Sequence, residues 1–270
     1  MVLFQFGGAP VGEAVSERSL GGQVERPPWL EGCAFVAVIA AAESHPSSAA
    51  AVGSRAGRGR VTAYDVVVTA TVLAVLEFSG IFVFAMTGAL VGVRRDFDIV
   101  GLVVLAMMTG LGGGVLRDVL LGVAPPVNVA SWERLLTATL AAALVFWQHD
   151  RVARRERVVM LLDAVGLATF CVTGTIAALS HDIAPATAVL LGVLTAVGGG
   201  IVRDVLSGRT PVVFSGELYA IPAIVGATLT TVAEAFDTVG IVYVLPALVC
   251  LVLRLLSMRR GWSAPSARRR

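Results

Sequence analysis

The sequence contains no lysine: all 21 basic residues are arginine, against 19 Asp and Glu and 3 His. Charged residues make up only 15% of the chain, where a soluble domain usually carries about a quarter. That shortage excludes most soluble folds. The net charge is +2, and many arginines cluster at the ends of apolar segments, as at Arg151, Arg154, Arg155 and Arg157 and at Arg268, Arg269 and Arg270. Such placement points to membrane orientation and away from nucleic-acid binding. Cysteine is also scarce. Cys33, Cys171 and Cys250 are far apart, odd in number and lack Cys-x-x-Cys or Cys/His spacing, so neither a disulfide framework nor a metal site is expected. No Ser/His/Asp grouping, Walker loop or dinucleotide glycine pattern appears. No catalytic residue and no cofactor is expected, and the chain does not read as an enzyme.

What the chain has in quantity is apolar length: 56% of its 270 residues are hydrophobic, and its mean hydropathy is +0.83. Residues 1–60 stand apart, with loop-like Pro27-Pro28-Trp29 and 53–60 and one apolar run, 33–42, too short to span a bilayer. They read as a disordered extension, or as upstream of a true start near Val61. From residue 66 onward, apolar stretches at 66–93, 99–121, 135–147, 158–180, 184–206, 218–235 and 239–256 predict seven membrane-spanning helices. The third has the shortest core and needs 129–135 to reach full length. Arginines follow the first, third, fifth and seventh spans, ending in a basic tail at 258–270. The positive-inside rule then places the N-terminus outside and the C-terminus in the cytoplasm of a plasma-membrane protein.

A repeat organises this region. Residues 110–120 read GLGGGVLRDVL and residues 196–206 read AVGGGIVRDVL, an offset of 86. The same register aligns Glu77 with Asp163, Gly80 with Gly166, Phe84 with Phe170, Thr87-Gly88 with Thr173-Gly174, Thr109 with Thr195, Gly122 with Gly208 and Pro125 with Pro211. Shared apolarity would align Leu and Val; it would not align acids, glycines, Arg-Asp pairs and prolines without a gap. The chain therefore reads as two three-helix units, 66–148 and 158–235, followed by a seventh helix at 239–257. Three spans per unit is odd, so the second copy enters the membrane in the opposite sense, as in inverted-repeat transporters. The seventh helix completes the lipid-facing surface or contributes to an oligomer interface.

An ionisable side chain at mid-bilayer costs roughly 2.5 to 3.5 kcal/mol, so Arg117, Asp118, Arg203 and Asp204 must pair, face water or lie near an interface. Adjacent helical residues point about 100° apart, which favours cross-repeat pairs such as Arg117 with Asp204. Gly112, Gly113 and Gly114, with Gly198, Gly199 and Gly200, are expected to break the second and fifth helices, Pro125 and Pro211 terminating them. A break would offer carbonyls to a cation and N–H groups to a carboxylate; alternatively the glycines only let two helices touch. Glu77 and Asp163 either attract a cation or amine, or serve as interfacial residues or caps. Thr87-Gly88 and Thr173-Gly174 suit helix packing, and His149 and His181 lie at span ends, exposed.

The paired units E-x-x-G-x-x-x-F-x-x-T-G (Glu77 to Gly88, Asp163 to Gly174 with Asp for Glu) and G-G-G-x-x-R-D-x-L (Gly112 to Leu120, Gly198 to Leu206) resemble the bacterial glycine-transporter family, itself similar to the prokaryotic trimeric intracellular cation channels. The resemblance covers about residues 66–256. It implies an all-α, seven-span homotrimer of inverted repeats in contact with membrane lipid. Each protomer would carry a pathway at the two GGG kinks, lined or braced by Arg117, Asp118, Arg203 and Asp204. Glycine is the implied solute; a potassium channel and a non-transporting scaffold are the alternatives.

Overall fold

In the computed structural model, the described residues are 63–152, 156–214, 218–236, 238 and 240–263. The extension at 1–60, Cys33, Arg154, Arg155, Asp237, the end of the basic tail and the side chain of His149 lie outside this description. The helices are α1 (Ala63–Arg94), α2 (Ile99–Leu120), the single turn α3 (Val127–Ala130), α4 (Trp132–Val152), α5 (Glu156–Leu179), α6 (Pro185–Leu206), α7 (Ala220–Ala235) and α8 (Val244–Arg260). Short 3-10 turns occupy Val212–Phe214 and Gly240–Tyr243.

Among the described residues, five stretches are long and apolar enough to cross a membrane: Val67–Arg94, Ile99–Leu120, Arg157–Leu179, Pro185–Leu206 and Gly240–Arg260. The other two long helices fall short for different reasons. At 16 residues, α7 is about 24 Å long against a hydrocarbon core of about 30 Å. The third expected span, α4, carries Glu133 and Arg134 at its start and Gln148, His149, Asp150 and Arg151 near its end. Its expected extension back to Val129 is divided between α3 and α4, because Ser131 adopts extended backbone between them. At the other end of the chain, α8 runs to Arg260, a turn beyond the expected limit, and stops at Gly261 in the left-handed conformation.

Both halves are built alike. In the first, α1, α2 and α4 pack against one another; in the second, α5, α6 and α7 do the same. The halves meet through α1 on α5 and α2 on α6. Among the described helices, α8 packs chiefly on α5 and α7, while the 3-10 turn that leads into it packs on α1. The turns match too. Asp96 and Asp182, 86 apart, take positive φ (54° and 55°) between the first two helices of each half, and Gly122 and Gly208 do so (74° and 67°) just past α2 and α6.

Those two glycines, rather than Pro125 and Pro211, end the helices. The Gly122 N–H donates to Val119 O (3.1 Å) and Val123 N–H to Asp118 O (2.9 Å); Gly208 N–H donates to Val205 O (3.0 Å) and Arg209 N–H to Asp204 O (2.8 Å). This is the left-handed glycine closure of a helix C-terminus, which satisfies the last free carbonyls. The prolines come several residues later, in chain that has already turned.

Candidate functional site at the α2–α6 crossing

Both triple glycines lie inside unbroken helices: α2 continues from Ile99 to Leu120 and α6 from Pro185 to Leu206. The expected breaks are absent because the missing side chains are used for contact. A Cβ on Gly113 would lie 2.2 Å from the Thr195 carbonyl oxygen, and one on Gly199 would lie 2.2 Å from the Thr109 carbonyl oxygen. Thr109 and Thr195 turn their hydroxyls back onto their own helices, donating to Leu105 O (2.6 Å) and Leu191 O (2.7 Å). The same exchange of roles occurs between α1 and α5. Gly80 sits against Thr169 and Phe170, Gly166 against Phe84, and the two Phe rings meet edge to face at 5.3 Å. Gly88 and Gly174 bear on Thr109 and Thr195 respectively, which is the packing role expected of the Thr-Gly pairs.

The three glycines of each run do different work. Gly113 and Gly199 form the crossing. Gly114 makes room for the Asn128 amide, whose Nδ2 donates to Leu111 O at 3.1 Å, while Gly200 faces the Tyr219 hydroxyl and the Arg203–Asp163 pair. A Cβ at Gly112 would meet Val202 at 3.7 Å, an ordinary contact, and one at Gly198 would lie 3.1 Å from the Gly113 Cα.

Each Arg-Asp pair closes on itself. Arg117 Nε donates to Asp118 Oδ1 at 2.9 Å, with Nη2 at 2.7 Å from the same oxygen; Arg203 Nε donates to Asp204 Oδ1 at 2.9 Å. The expected pairing of Arg117 with Asp204 is not made, and the crossing explains why. Gly113 opposite Thr195 and Thr109 opposite Gly199 mean that α2 and α6 run antiparallel. Arg117 and Asp204 each lie on the C-terminal side of that contact, and helices of opposite sense carry the two apart. Adjacent positions diverge at Cβ, but the long Arg stem bends back to its neighbour.

The second oxygen of each aspartate anchors the returning chain: Asp118 Oδ2 accepts from Val127 N–H (2.9 Å) and Asp204 Oδ2 from Val212 N–H (3.1 Å). Val127 follows Pro126 and Val212 follows Pro211. The structural equivalence past the turn is thus Pro126 with Pro211, one residue off the gapless register that aligns Pro125.

Beyond the pairs, the halves differ. Arg203 Nη1 also reaches Asp163 on α5 (2.8 Å) and donates to Thr87 Oγ1 on α1 (3.1 Å). Glu77, in the position of Asp163, lies instead against Arg134 of α4 (3.3 Å), which also donates to Val127 O and Ser131 Oγ. With the one-residue slip, Tyr219 stands where Arg134 does, and Arg254 of α8 stacks over its ring at 4.8 Å. Each half therefore holds two arginines and two carboxylates: the second arginine comes from α4 in the first half and from α8 in the second. All are buried. Removing one guanidinium from such a set exposes a buried carboxylate, at a cost of about 3–5 kcal/mol. Arg134→Ala is expected to lower the melting temperature in detergent strongly, and adding Glu77→Gln to recover part of the loss.

All twelve candidate residues are thus placed: Glu77, Asp163, both Arg-Asp pairs and both glycine runs. Thr87, Asn128, Arg134, Tyr219 and Arg254 were not expected as their partners. Only Arg254 left a signal in the sequence, as an arginine inside the apolar run of the last helix. His181 is exposed, as expected.

Long apolar helices whose buried ionised groups meet opposite charges define an all-helical, multi-pass membrane protein. The model of the family described as "Glycine transporter" matches at residues 74–150 and again at 160–235, in the register of the internal repeat. The chain belongs to that family. A membrane protein of Deinococcus radiodurans is 39% identical over 196 residues, 72% of this chain and 91% of that one. The inner membrane protein YadS of Escherichia coli K12 is 33% identical, covering 71% of this chain and 94% of its own. Among solved structures, one described as a TRIC cation channel has 32% identity and a TM-score of 0.67 over 73% of this chain and 98% of its own. The TRIC trimeric intracellular cation channel orthologue from Rhodobacter sphaeroides has 35% identity and a TM-score of 0.67 over 71% and 100%.

Proposed function

We propose that the protein carries a small solute, glycine first, across the plasma membrane along the α2–α6 junction of each protomer of a homotrimer. The observation that carries this reading is the crossing itself. Two arginines and two aspartates, buried at the ends of α2 and α6, flank a contact made by Gly113 and Gly199 without side chains. Buried ionisable groups in a membrane protein mark solute pathways by default. The antiparallel sense of α2 and α6 supports a seven-span inverted repeat about an axis in the membrane plane, and the arginines after alternate spans support an N-terminus outside and a cytoplasmic C-terminus. Both signs of charge at the junction suit a zwitterion better than a bare cation.

The likeness to TRIC cation channels, at a TM-score of 0.67 over nearly their whole length, favours a second reading, a potassium pathway through the same junction. Reconstitution of the full chain into liposomes, with glycine uptake and potassium flux followed in parallel, tests both. Glycine uptake without conductance is the expected result; conductance without uptake selects the channel, and neither leaves a scaffold.

A further inference from the structure

The two Arg-Asp pairs are alike in sequence and unequal in space. Arg203 is held by carboxylates on two elements and by a hydroxyl on a third: Asp204 beside it, Asp163 on α5 and Thr87 on α1. Among the described residues, Asp118 is the one ionic partner of Arg117, and Arg117 Nε and Nη2 both use its Oδ1. The acid that would correspond to Asp163 is Glu77, and Arg134 holds it. Asp118 keeps its loop contact through the other oxygen, Oδ2. Arg117 and Asp118 Oδ1 can therefore separate without releasing the loop at Val127, whereas Arg203 cannot leave Asp204 without also straining its bonds to α5 and α1.

We infer that the Arg117–Asp118 pair is a receptor for a zwitterion: the carboxylate of an amino acid docks on the Arg117 guanidinium, its ammonium on Asp118 Oδ1, and the pair opens to admit it. Arg203–Asp204 is the fastened counterpart that holds α6 to α5 and α1. Charge matches charge in both the empty and the filled pair, so no buried group loses its opposite on binding. The guanidinium fork takes a carboxylate through two parallel hydrogen bonds, a geometry lysine lacks. Because α2 and α6 are antiparallel, the receptor and the fastener lie at opposite ends of the crossing. This inference rests on the transport reading above and adds which end recognises the solute and by what chemistry.

The test uses the full chain in liposomes, with labelled glycine as the transported probe and glycinamide and acetate, each lacking one of the two charges, as competitors. Wild type is expected to be inhibited far less by either competitor than by unlabelled glycine. Arg117→Lys is expected to raise the KM for glycine about tenfold or more, the worth of a lost charge-assisted hydrogen bond, with a smaller change in maximal rate. Arg203→Lys is expected to lower thermal stability and to raise the KM for glycine less than Arg117→Lys does. A KM unchanged in Arg117→Lys, or raised equally in Arg203→Lys, overturns the receptor while glycine uptake by the wild type leaves the transport reading standing. Absence of wild-type uptake sinks both. Should Arg117→Lys fold poorly, Asp118→Asn, which keeps an acceptor for Val127, must show the same rise in KM.

Discussion

Gly113→Ala and Gly199→Ala are expected to destabilise the protein more than any other single-methyl change in α2 or α6, while Gly112→Ala leaves stability nearly unchanged. In a helix interior Ala is intrinsically better than Gly by about 1 kcal/mol, so all three substitutions begin with the same small gain. The net effect is then set by the atoms that the new methyl meets. At 113 and 199 it meets a backbone carbonyl oxygen at 2.2 Å, which no side-chain rotation can move. The helices must separate by more than an ångström, and Thr109 and Thr195, already in contact with Gly88 and Gly174 on the neighbouring helices, leave little room for that shift. Overpacking costs typically 1–3 kcal/mol where side chains can adjust; here backbone opposes backbone, and about 3 kcal/mol or more is expected. At 112 the methyl meets Val202 at 3.7 Å, within ordinary contact. Thermal melting in detergent distinguishes the three variants. Equal losses at 112 and 113 would mean that the glycines serve backbone freedom, as helix breaks would require, and not the crossing.

The same residues show how far the sequence could be read. The duplication was legible because it repeats residues of unlike kinds, acids, glycines and prolines, in one register, and the reciprocal contacts of Gly113 with Thr195 and Gly199 with Thr109 obey that register. Helix ends were legible where an apolar run met a polar turn, as at Ile99 and Leu206. Two things were not. A triple glycine is compatible with a broken helix and with a tight crossing, and only the neighbour at 2.2 Å decides between them. Likewise the partner of a charge depends on the direction of the facing helix: antiparallel packing carries Asp204 away from Arg117, and the reach of the Arg stem lets Arg117 take Asp118. The asymmetry of the halves was out of reach, because the equivalent places, matched only after a one-residue slip, carry Arg134 beside Glu77 in one half and Tyr219, with Arg254 from α8, in the other.

Arg203→Ala is the other large effect expected. The substitution leaves Asp163 and Asp204, both buried, without their shared guanidinium, and removes the only hydrogen bond described from Arg203 to the first half, at Thr87. Breaking a buried ion pair from one side costs about 3–5 kcal/mol, chiefly because the remaining charge has no opposite. Adding Asp163→Ala should therefore return part of the stability, and a double-mutant cycle between 203 and 163 should give a coupling within the usual range of about 0.5–3 kcal/mol for residues in one network. The control is the pair suggested by sequence symmetry. Arg117→Ala and Asp204→Ala remove groups on opposite sides of the crossing with no described partner in common, so their effects should add to within about 0.5 kcal/mol. Coupling between 117 and 204 comparable to that between 203 and 163 would place the C-terminal ends of α2 and α6 together, and the antiparallel crossing at Gly113 and Gly199 could not then be the resting arrangement. Additivity there, with coupling at 203 and 163, makes Arg203 the bond that ties the second half to itself and to α1.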